Sequence, residues 1–168
     1  MPNDAKTIYQ GSLTATHAAE RQGLQAMETQ LAGLEHYPDY AALLRDHIAK
    51  THGQIDRLEA AMAEAGTSPS AIKEGVTGAI GTVAAAIHQV FPDTQLKNLY
   101  AGYAYQHEQI AAYQSLAIIA EEAGFPQHRS WIEQSLAEER QGAERAEALI
   151  EPVTRTYLRL EQEGASRN

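Results

Sequence analysis

The chain has 168 residues, 43% of them apolar, and 22 acidic against 13 basic side chains give a formal net charge of −9. That balance excludes a general nucleic-acid binder, which needs a basic face for phosphates, and the length suffices for a single buried core without staples. No cysteine is present, which excludes disulfides, thiolate metal sites and cysteine nucleophiles.

The polar start from Met1 to Lys6 leads directly into a helical pattern with no signal-peptide profile, so a cytoplasmic location is expected. Helix one is predicted from about Lys6 to Leu34. Leu13, His17, Glu20, Leu24, Met27, Leu31 and Leu34 alternate steps of four and three, which keeps one face turned inward. His36 to Asp39 breaks the pattern, with Pro38 placed to open the next helix. Helix two carries Leu44, Ile48, Thr51, Ile55, Leu58 and Met62, and Gly66 is its expected cap.

A turn at Thr67 to Ser70 precedes a further helical pattern from Ala71 to Phe91, in which Gly75, Gly78 and Gly81 recur every third residue. Residues 75–92 carry no charge, but glycine, threonine, His88 and Gln89 dilute them too far for a membrane span. The glycine spacing is not a dinucleotide fingerprint, and no strand precedes it. Close packing of a neighbouring backbone is the expected use.

Helix three opens at Pro92 and Asp93 and closes at Gly124 to Pro126, with Leu96, Leu99, Tyr103, Gln106, Ile110 and Tyr113 on its stripe. Helix four follows with Ile132, Ser135, Glu139, Gly142, Ala146, Leu149 and Val153, and Pro152 is expected to bend or fray its far end. Residues 1–160 form one domain and 161–168 a flexible tail. No stretch alternates as a strand does. The prediction is an all-α four-helix bundle of two antiparallel hairpins, with a long helical crossover between helices two and three.

Several inward positions are polar. His17 and Glu20 on helix one, Thr51 on helix two, Gln106 on helix three and Glu139 on helix four all fall near mid-helix, where a buried polar group must find partners. The sequence Ala19-Glu20-Arg21-Gln22-Gly23 is echoed by Glu138-Glu139-Arg140-Gln141-Gly142. A second echo links Ala49 to Ile55 with Ala104 to Ile110. Inward carboxylates at mid-bundle suit a di-metal site, which takes Glu from two helices and Glu-x-x-His from the other two. Only part of that set is here.

The chain resembles the YciE/YciF family of ferritin-like bacterial stress proteins across roughly Ile8 to Leu158. The carrying stretches are His17 to Gln22, His47 to Glu59, His107 to Leu116 and Leu136 to Arg140. The resemblance implies a ferritin-like bundle, commonly dimeric, linked to stress responses and presumed to hold two iron or manganese ions. It also marks departures, because the family has glutamates at one or both of the positions of Ala49 and Lys50, and where Gln106 and Gln109 stand. Lys50 would compete with a cation for the remaining carboxylates.

Two readings follow. In the first, the protein is non-enzymatic and holds no cofactor, the metal site being replaced by a buried polar layer of His17, Glu20, Thr51, Gln54, Gln106, Gln109 and Glu139. In the alternative, iron or manganese is held by an atypical set of Glu20, Glu138, Glu139 and His52, with His17, His47 or His107 as further imidazoles. Tyr100, Tyr103, Tyr105 and Tyr113 read as packing residues with a polar tip. A homodimer is expected, with the glycine-rich helix as its interface.

Overall fold

The computed structural model describes residues 4–71 and 94–164. Helix α1 spans Ala5–Gln30, and its first turn is capped by Asp4, whose side chain accepts from the Thr7 amide at 2.7 Å. The α-helix stops at Gln30 rather than Leu34, because a 3-10 turn at Leu31–Gly33 tightens the chain into the hairpin. Helix α2, Pro38–Ala65, starts on a proline whose missing N–H costs nothing there, and it ends at Gly66 with φ 78°. Helix α3 spans Thr94–Glu122, Gly124 turns the chain at φ 83°, and α4 runs Arg129–Gln162. Short 3-10 turns lie at Pro69–Ala71 and Pro126–His128. No strand occurs among the described residues.

Side-chain pairings fix the directions of the helices. Gln95 Nε2 donates to the Gly33 carbonyl at 2.6 Å, Tyr113 reaches Glu20, and Tyr9 meets His128, so α1 and α3 are antiparallel. Arg145 pairs with Asp46, Glu138 with Arg57 and His128 with Glu64, so α2 and α4 are antiparallel as well. With α1 and α2 joined by a tight hairpin, α2 and α3 must run parallel. Helix α3 therefore starts at the opposite end of the bundle from the one where α2 stops. The expected helicity of the crossover, and the glycine row at 75, 78 and 81, lie outside the described residues, as do residues 165–168.

Pro152 does not end α4. The proline removes one N–H from the ladder, but it sits on the exposed face, as does Ala148, whose carbonyl loses its partner to water. Val153 and Leu160, both buried, hold the last turns to the core, and the helix continues to Gln162.

The core is layered along the bundle axis. At the hairpin end lie Leu34, Tyr40, Leu43, Leu44, Leu99 and Val153, and at the opposite end lie Tyr9, Leu13, Leu58, Met62, Leu116 and Ile132. Each such side chain contributes ~1.5–3 kcal/mol by leaving water. Between the two apolar blocks Glu20, His47, Thr51, Gln54, Gln106, Gln109, Ser135 and Glu139 are all buried. The middle of the bundle is polar.

Candidate functional site

Glu20 and Glu139 are both 0% exposed. Glu20 projects from α1 and accepts from the Tyr113 hydroxyl at 2.8 Å and from the Tyr105 hydroxyl at 3.2 Å. Tyr105 shares its one hydroxyl proton between Glu20 and the Ala19 carbonyl, 2.9 Å away, an approach that the missing Cβ of Gly23 allows. A methyl group on Gly23 would lie 2.5 Å from the Tyr105 hydroxyl oxygen. Across the bundle, Glu139 on α4 accepts from Gln54 Nε2 at 2.8 Å, and His47 Nε2 stands 3.3 Å from the same oxygen. Gly142, one turn further on, gives His47 and Gln106 their room.

The electrostatics follow from that geometry. Burial, and next the charge of Glu139, lift the Glu20 carboxyl to about 8, against the pull of Tyr113, His47 and Tyr105. Burial works against a charged His47, but its interaction with Glu139 and the charges of Glu139 and Glu20 outweigh it and raise its pKa. Burial and the charge of Glu20 push both Tyr105 and Tyr113 well above the ordinary tyrosine value, so both stay phenols. The shifts favour the protonated form of Glu20 and the charged form of His47, whose Nε2 stands 3.3 Å from Glu139.

The residues singled out from sequence do not all meet. Glu138 is turned away from the layer. It is one position from Glu139, about 100° around the helix, and there it pairs with Arg57 on α2 and accepts from Gln134 at 3.1 Å. His52, one position past Thr51, is exposed beside Arg21 and Glu28. His17 is buried but faces the α1–α2 flank, where its Nε2 lies 2.9 Å from Glu59 Oε1. Lys50 is likewise outside the layer, bound to Asp46 at 2.9 Å and Gln141 at 2.6 Å. His107 is exposed and packs edge-on against Tyr103. Among the histidines, His47 alone joins Glu139 in the described layer, with Tyr105, Tyr113 and Ser135 as polar members that the sequence reading left out.

A di-iron or di-manganese centre does not fit these residues. Two hard cations need several anionic oxygens, and the layer offers two carboxylates and one imidazole, with neutral amides at Gln54, Gln106 and Gln109. No group of three or more His, Asp or Glu among the described residues is arranged to hold a metal ion.

Two antiparallel hairpins and a carboxylate-bearing layer at mid-bundle define a ferritin-like four-helix protein. The chain belongs to the family described as Domain of unknown function (DUF892), whose model matches residues 4–159. Its fold is similar to that of a protein from Xanthomonas campestris pv. campestris, with TM-score 0.77 and 22% identity over 94% of this chain and 98% of the other. It is also similar to YcfI from Rhodopseudomonas palustris, with TM-score 0.72 and 21% identity over 86% and 94% of the two chains. The E. coli stress protein YciF matches with TM-score 0.74 and 20% identity over 89% of this chain and 96% of its own. The resemblance to the YciE/YciF family holds. No described helix is long and apolar enough to cross a membrane.

Proposed function

We propose that this is a non-enzymatic, ferritin-like protein of the stress-response type, cytoplasmic and homodimeric, in which a buried polar network replaces the di-metal centre. The observation that carries the reading is the pairing of the two buried carboxylates. Glu139 is met by His47 and Gln54, and Glu20 by two tyrosine hydroxyls, where a metal centre would require further carboxylates. The stress role is drawn from the likeness to YciF. Complete burial of Glu20 and Glu139 also speaks against either acting on a substrate.

Metal analysis of protein purified from cells supplied with iron and manganese tests the reading. Far less than one ion per chain is expected. Two ions per chain, lost in Glu20→Gln and Glu139→Gln variants, would overturn it in favour of a metal-dependent oxidoreductase or metal handler. Light scattering tests the dimer, and a monomer mass at working concentration would refute that part.

A further inference from the structure

We propose that Tyr9 and His128 form a proton-coupled redox site: a one-electron-oxidising radical that meets Trp131 at the surface draws its electron from Tyr9, whose proton passes to His128. A chain of contacts carries the inference. Tyr9 is 0% exposed and its hydroxyl lies 2.7 Å from His128 Nδ1, while His128, itself 3% exposed, sets Nε2 2.7 Å from Glu64 Oε2. A carboxylate only accepts, so Nε2 carries a proton. In the neutral ring Nδ1 is then the acceptor, and the Tyr9 phenol donates to it. Tyr40, Tyr105 and Tyr113 meet amide, carbonyl or carboxyl oxygens instead, which are weaker bases than imidazole.

Packed rings give the electron its way out. Centroid to centroid, Tyr9 lies 5.3 Å from Phe125 and 5.9 Å from His128, and His128 lies 6.0 Å from Trp131. Trp131 is partly exposed and is the chain's one tryptophan. The radical takes one electron from the indole. The oxidised indole takes one electron from Tyr9 as the phenol O–H bond breaks and the proton moves to Nδ1. Trp131 is then as it began, Tyr9 is a neutral phenoxyl radical, and His128 is an imidazolium facing Glu64. Burial and the charge of Glu64 hold the phenol well above the ordinary tyrosine value, which disfavours losing the proton alone. Losing the electron alone would leave a buried, unpaired cation. Losing both together puts the positive charge on a ring already aimed at a carboxylate. Tyr9 lies about 16 Å along α1 from Glu20 at 1.5 Å per residue, so this site stands or falls apart from the question of metal.

Pulse radiolysis of the full chain in azide solution, which generates the azide radical as the oxidant, tests it. The absorption of the Trp131 radical should pass into that of a tyrosyl radical, at a rate independent of protein concentration. Tyr9→Phe should keep the Trp131 radical alive at least about tenfold longer. His128→Gln, which leaves the phenol an acceptor but no base, should slow the conversion at least about tenfold. Deuterium oxide should slow it in the native chain, a readout that needs no variant. A Trp131 radical that yields no tyrosyl radical would overturn the inference. So would a conversion that Tyr9→Phe or His128→Gln leaves unchanged, or one that runs equally fast in deuterium oxide.

Discussion

Gly142 on α4 leaves the space that His47 on α2 occupies: a Cβ at Gly142 would lie 2.9 Å from His47 Nδ1 and 2.7 Å from the Gln106 amide nitrogen. The glycine is thus what lets an imidazole and an amide pack one turn from Glu139. Gly142→Ala should lower stability by ~1–3 kcal/mol through overpacking, despite the better helix propensity of alanine. Gly53→Ala, also inside a helix but with nothing within 4 Å of its Cβ, should raise stability by up to about 1 kcal/mol. Urea unfolding of the two variants beside the parent checks the opposite signs.

The protonated state of Glu20 makes stability depend on pH with a definite sign. Its carboxyl titrates near 8 in the fold and near 4.5 when unfolded, so between those values the native state holds more protons than the unfolded chain. Stability is then fully present below about pH 4.5 as far as this group is concerned, and is lost as pH rises through about 8. The raised pKa of His47 adds to the same fall. The free energy of unfolding should decline from pH 5 to pH 8 by an amount on the order of a few kcal/mol, and Glu20→Gln should flatten most of that slope.

Tyr113→Phe removes the donor to Glu20 Oε1 while preserving the ring. A loss of about 1–2 kcal/mol is expected. The Tyr113 hydroxyl pulls the Glu20 carboxyl down, so its removal should also carry the pH-dependent fall to higher pH. Unfolding measured as a function of pH reads both effects together.

At the far end of the bundle, buried Tyr9 meets His128 Nδ1 at 2.7 Å, and His128 Nε2 meets Glu64 Oε2 at 2.7 Å, tying α1, α2 and the α3–α4 turn. Tyr9→Phe leaves a buried ring nitrogen without its partner and should cost about 1–3 kcal/mol. Glu64 is largely exposed, so Glu64→Gln should cost at most about 1 kcal/mol. Thermal melts of the two variants compare the buried and the exposed half of the relay.

These relationships also show what the sequence made legible. Pro38, Gly66 and Gly124 announced the helix ends, because proline and left-handed glycine have few other uses beside a long apolar stripe. The inward face of α2 was harder to read. Leu44, His47, Thr51, Gln54 and Leu58 alternate steps of three and four and are all buried, but the sequence reading put Ile48 and Ile55 on the stripe, kept Gln54 for the polar layer and held His47 only as an alternative imidazole ligand. Ile55 is indeed buried and Ile48 partly so, since the buried arc of a helix is wider than one stripe.

Hydropathy misled there because the polar residues are the ones at the centre. His52 lies one position past buried Thr51, and Glu138 one position before buried Glu139, and one helical position is enough to turn a side chain from core to flank. The parts played by Tyr105 and Tyr113 depend on how closely α3 approaches α1, which local sequence does not encode. The spacing Glu20 to Gly23, repeated as Glu139 to Gly142, was the available signal: each glycine marks where a polar side chain from a neighbouring helix comes in.

The most direct test of this account is the protonation state of Glu20, because a carboxylate must be ionised to bind a metal. An infrared difference spectrum between the native chain and Glu20→Gln at pH 6 should contain the carbonyl band of a protonated carboxylic acid, fading as pH is raised past about 8. A difference spectrum showing only an ionised carboxylate at pH 6, with iron or manganese bound, would contradict it.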